Sequence, residues 1–119
     1  MLQPIAWFVL AAAHAIPALA LFQPALITKL YRISAESPLF LLFQHRAALF
    51  LAVFVICVWA AFDPGSRRLA SVAVAISMVS FVILWWMNGS PSAFRTIAIT
   101  DLIGLPFLAF VAWKAFATA

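Results

Sequence analysis

Charge is what this chain has least of. Only 8% of its 119 residues are Asp, Glu, Lys or Arg, and 3 of those are acidic. A soluble domain of this size leaves much of its surface in water and needs polar side chains to cover it. With 68% hydrophobic residues and a mean hydropathy of +1.18, lipid must be the solvent for most of this chain. Cysteine is nearly absent too. Cys57 stands alone, which excludes an intrachain disulfide and a CxxC metal site. Glycine occurs 3 times. No phosphate loop, GxGxxG, GxSxG or HExxH is present, so no catalytic motif is recognised and the chain reads as non-enzymatic.

What is present is long apolar runs. Four are long enough for the ~20 residues that cross a bilayer, at about 4–22, 38–62, 69–87 and 96–117. The expectation is one transmembrane domain over 1–119, an all-α, integral membrane four-helix bundle. Residues 1–20 have a signal-peptide-like Ala18-Leu19-Ala20, but no Lys or Arg precedes the run, so the segment reads as the first span. Between spans one and two, Leu26, Ile27, Leu30, Tyr31 and Ile33 repeat at helical spacing with Lys29 and Arg32 on another face. This predicts a short interfacial helix within 23–37. Ser37-Pro38 is a helix-start signal. Asp63-Pro64-Gly65-Ser66 and Asn88-Gly89-Ser90-Pro91 read as turns. Pro17 and Pro106 each remove one helical hydrogen bond.

The net charge of +4 does not point to nucleic acid. Lys29, Arg32, Arg67, Arg68, Arg95 and Lys114 flank the spans, where basic residues anchor to anionic headgroups. Four crossings put both termini on one side. The flanking basic residues divide equally between the two sides. The adjacent pair Arg67-Arg68 in the shortest loop favours cytoplasmic termini in a bacterial inner membrane.

The few polar groups inside the spans fall at one depth. At 1.5 Å per residue, His14 lies about 12 Å inside the end of its span, His45 and Arg46 about 10 to 12 Å, Ser80 about 10 Å and Asp101 about 8 Å. Gln44 and Thr100 are near the same layer. A charged group at the centre of a membrane helix costs about 3 kcal/mol or more, so such groups are usually kept for a reason. An Arg46–Asp101 ion pair, satisfied further by Ser80 and the imidazoles, would fix the register of four apolar helices. The same cluster of His14, Gln44, His45, Arg46, Ser80 and Asp101 would also receive the head of a lipid, quinone or similar amphiphile, with Trp85 and Trp86 at the mouth. The competing reading is b-type haem on His14 and His45 with Arg46 at a propionate, or other redox or enzymatic chemistry. A divalent metal on His14, His45 and Asp101 is disfavoured because Arg46 repels it. Ser80, His45 and Asp101 have a triad's composition, but serine is common at membrane helix contacts. A homo-oligomer or a larger membrane complex is a further expectation for so small a bundle.

Several of these residues also carry a resemblance. His14-x-x-Pro17, Leu30-Tyr31, His45-Arg46-Ala47 with Leu49-Phe50, Ser77-Met78-x-Ser80-Phe81 and Asp101 resemble a family of small bacterial four-span membrane proteins. Its members have no assigned function and are sometimes labelled phosphopantetheine adenylyltransferase. The resemblance covers about residues 10 to 105. Members usually carry Gly after the Leu-Tyr pair and Arg before His-Arg; here those positions hold Arg32 and Gln44. The label has no physical support, since adenylyl transfer needs a nucleotide-binding α/β fold and a phosphate cradle. The overall shape is similar to DoxX-like four-helix proteins, a likeness of fold alone.

Overall fold

A computed structural model describes residues 2–117. Its order is α1 (Leu2–Leu19), α2 (Ala25–Tyr31), α3 (Phe40–Phe62), a 3-10 turn (Pro64–Ser66), α4 (Arg67–Met87), a second 3-10 turn (Ser92–Phe94) and α5 (Arg95–Ala117). Helices α1, α3, α4 (with its preceding turn) and α5 are each long and apolar enough to cross a membrane. The chain is a multi-pass, all-α membrane bundle.

The first span ends earlier than its hydropathy suggests. Ala20, Leu21 and Phe22 donate to the carbonyls three residues back, at 3.3, 3.1 and 3.0 Å, tightening the last turn. Pro24 then disfavours helical backbone at Gln23. Span two also starts later, at Phe40. The Leu39 amide donates to Ser37 Oγ (3.2 Å), so Ser37 caps the turn that leads into α3. Helix α2 closes on Arg32, whose φ of 54° is left-handed and whose N–H donates to Thr28 O. At the turn before α4, Asp63 accepts from the Gly65 amide at 3.0 Å and from Trp59 Nε1 at 3.2 Å.

The four spans form a ring. Helix α1 packs on α3 and α5, α4 packs on α5, and α3 meets α4 only sparsely. Small residues let the backbones approach. Ala6, Ala11, Ala60, Ala61 and Ala70 are buried in one core cluster around Trp7, Leu10, Val74 and Met78. Gly104 on α5 lies against Met78, whose flexible end a methyl group at Gly104 would have to displace. A second cluster of Ala20, Ile27, Tyr31, Phe40, Ala47 and Ile97 seats α2 on the other end of the bundle.

The pair Arg67-Arg68 does more than flank a span. Arg67 donates from Nε to Ala60 O (2.8 Å), from Nη2 to Ala61 O (3.2 Å) and from Nη1 to Gln3 Oε1 (3.2 Å). Arg68 Nε donates to Ala115 O (3.1 Å). Two guanidinium groups therefore cap the carbonyl ends of α3 and α5, where the helix dipole favours positive charge. They also tie the start of α1 and the end of α5 to the same end of the bundle.

Candidate functional site

Depth brought six polar residues to one layer, but the direction in which each points divides them. His14 faces the interior and is 0% exposed. Its Nδ1 lies 2.8 Å from Leu10 O, and only an N–H can bond to a carbonyl there, so Nδ1 is the donor. In the neutral ring Nε2 is left as an acceptor for the Ser77 hydroxyl at 3.4 Å. This bond links α1 to α4. The imidazole also packs against Phe50, ring centres 5.7 Å apart.

Arg46 is half-buried against the bundle, and it does not meet Asp101 directly. Among the described residues the two side chains form no ion pair. The guanidinium is held by aromatic rings instead. It lies 4.7 Å from the Phe50 ring centre, 4.9 Å from that of Phe81 and 6.0 Å from that of Tyr31. Arg46 Nε donates to the Tyr31 hydroxyl at 3.4 Å. Cation–π contacts are worth about 0.5–2 kcal/mol each, rising with burial, which offsets part of the penalty of placing the charge there.

Asp101 on α5 is 4% exposed, and its carboxyl makes no hydrogen bond among the described residues. It lines a cavity of about 110 Å³ between α1, α2, α3 and α5, together with Ala13, Pro17, Leu30, Phe50 and Thr100.

The other expected members lie elsewhere. His45 is exposed, because it follows Gln44 and precedes Arg46 on one helix and each step turns the side chain by about 100°. With Arg46 inward, His45 must face out, and Gln44 is half-buried at the edge. The two imidazoles therefore do not share a space, and among the described residues no three His, Cys, Asp or Glu side chains converge. Ser80 is exposed and bonds back to Ile76 O on its own helix, with a longer contact to Ser77 O. Trp85 donates from Nε1 to Pro91 O (2.9 Å) and pins the loop after α4, while Trp86 is 73% exposed.

The sparse contact between α3 and α4 leaves a groove of about 370 Å³. Arg46, Ser77 and Ser80 supply its polar lining, and the exposed Leu49, Ile76 and Leu84 form its mouth. Phe50 lines both this groove and the Asp101 cavity, and so stands between them. A larger hollow of about 590 Å³ lies on α3 near Phe54, Trp59 and Phe62. Its one ionisable group, Asp63, is already bonded to Trp59 and Gly65.

The aromatic holders of Arg46 were not singled out by depth. Phe50 follows Arg46 by four residues, the spacing that stacks side chains on one helix face, and that was the available signal. Tyr31 and Phe81 come from other helices and carry no such signal. Comparison with protein-family models, curated proteins and solved structures finds no match.

Proposed function

We propose that this membrane protein is a small ligand-binding or accessory subunit that takes an amphiphile between α3 and α4. The observation that carries the reading is Arg46, a half-buried guanidinium held by Phe50, Phe81 and Tyr31 and lining a groove that opens between exposed Leu49, Ile76 and Leu84. The groove's volume is in the range of small-molecule sites, and its mixture is theirs: mostly apolar, with a few convergent polar groups. Arg46 is only a donor, so the head it selects carries acceptors, such as a quinone carbonyl or a lipid phosphate. Ser77 and Ser80 have given their protons to His14 Nε2 and Ile76 O, so Arg46 is the donor in the groove, and the apolar mouth suits a chain lying in lipid.

Haem on His14 and His45 is not favoured, since one imidazole is buried with both nitrogens engaged and the other faces outward. A bacterial inner membrane with cytoplasmic termini remains our reading of the flanking charges. The resemblance to the small four-span bacterial family is part of the same proposal. Native mass spectrometry of the protein released from lipid nanodiscs tests it, with decylubiquinone and phosphatidylglycerol as added probes. One of the two should stay bound to the wild type and be lost from Arg46→Gln and Ser77→Leu. Release of bare wild-type protein under conditions that retain annular lipid would overturn it.

A further inference from the structure

The Asp101 cavity carries a second site, separate from the α3/α4 groove. Its polar side chains are Thr96, Thr100 and Asp101, all on α5. Asp101 brings a carboxyl with no hydrogen-bond partner among the described residues, on a side chain 4% exposed. Its oxygens are not sealed in: among the described residues that are buried, the polar atom both sealed and unbonded is Trp7 Nε1. Thr100 Oγ1 spends its proton on Thr96 O at 2.8 Å, so only its lone pairs remain. Ala13 adds a third oxygen. Its carbonyl points along α1 toward Pro17, which has no N–H to give, and both residues line the cavity. A carbonyl released by proline inside a membrane must be satisfied by a neighbour, a water or an ion. Two helices, α1 and α5, thus bring a carboxylate, a carbonyl and a hydroxyl oxygen to one space, and the Thr96 hydroxyl that also lines it can turn a lone pair the same way.

From this lining we propose that the cavity between α1, α2, α3 and α5 binds a monovalent cation, either an alkali metal ion or the primary ammonium of a lipid head, through the Asp101 carboxylate, the Ala13 carbonyl and the Thr100 hydroxyl oxygen. Carboxylate, carbonyl and hydroxyl oxygens are the ligands hard cations take. Broken or proline-interrupted helix segments supply such carbonyls in membrane ion sites. A volume of about 110 Å³ holds one ion with two or three waters, at roughly 30 Å³ each. Arg46 opposes the cation but does not line the cavity, since Phe50 stands between. Removing the Arg46 charge therefore strengthens the site, whereas it abolishes amphiphile binding in the groove. The two proposals fail separately for that reason.

The test is thermal unfolding of the full chain in detergent at fixed pH and ionic strength. Sodium, potassium and lithium chloride are each compared with choline chloride. Phosphatidylethanolamine is then compared with phosphatidylcholine in choline chloride alone. An alkali ion should raise the midpoint by roughly 3–6 °C over choline, or phosphatidylethanolamine should do so over phosphatidylcholine. The shift should vanish in Asp101→Asn, shrink in Pro17→Ala, which returns an N–H to the Ala13 carbonyl, and grow in Arg46→Gln. Equal midpoints for the wild type in every salt and both lipids would overturn the proposal. So would a shift that survives undiminished in both Asp101→Asn and Pro17→Ala.

Discussion

Arg46 on α3 and Asp101 on α5 are the opposite charges of the bundle interior, and they are held apart with Phe50 bordering the space of each. Arg46 leans on Phe50 and Phe81, while Asp101 opens into its own cavity. The two side chains are not in contact. Breaking a buried contact pair by removing one partner costs about 3–5 kcal/mol, much of which returns when both are removed. A double-mutant cycle of Arg46→Gln and Asp101→Asn should instead give a coupling of about 1 kcal/mol in detergent unfolding. A coupling near the contact-pair value would mean that the two side chains meet.

His14 is a structural tie between α1 and α4. Replacing it with Leu leaves the Ser77 hydroxyl without its acceptor and removes the ring packed on Phe50. The expected loss is about 1–3 kcal/mol in the same assay. Ser77→Ala removes the other end of the bond and should also destabilise, because it leaves the fully buried Nε2 of His14 without a donor while the ring keeps its packing on Phe50.

Gly104 and Met78 form a close pair at the α4–α5 contact. Gly104→Ala forces Met78 Cε to move within a site that is fully buried, and should cost about 1–3 kcal/mol. Met78→Val in the same chain makes room for the methyl group, so the double variant should be more stable than the two separate losses would sum to.

Arg67 tests the cap on α3. Arg67→Ala strips donors from Ala60 O and Ala61 O and releases Gln3, with an expected loss of about 1–3 kcal/mol. Arg67→Lys should recover only part of it, since an ammonium cannot reproduce the planar fork that reaches both carbonyls and Gln3.

The sequence made the spans legible because hydropathy and turn chemistry act locally. The turn at Asp63-Pro64-Gly65-Ser66 falls where its residues put it, and α2 forms within the interval where its apolar spacing lies. Depth was legible for the same reason, since it needs only a rise per residue. The facing direction was not. His45 and Arg46 are neighbours in depth but a large rotation apart, and only packing against Tyr31 and Phe81 decides which one enters the bundle. Ser77 and Ser80 differ likewise: the first meets His14, the second bonds to its own helix. The Asp101 cavity joins residues from four helices, and Pro17 reads in the sequence only as a missing helical bond until its carbonyl partner is placed opposite a carboxyl.

The account rests on the α3/α4 groove holding an amphiphile by its head at Arg46. Photo-crosslinking with diazirine-tagged phosphatidylglycerol and a diazirine-tagged quinone, mapped by peptide mass spectrometry, measures that directly. Adducts should concentrate on Leu49, Ile76 and Leu84 and fall severalfold in Arg46→Gln. Adducts spread evenly over the exposed faces of all four spans, unchanged by Arg46→Gln, would contradict it.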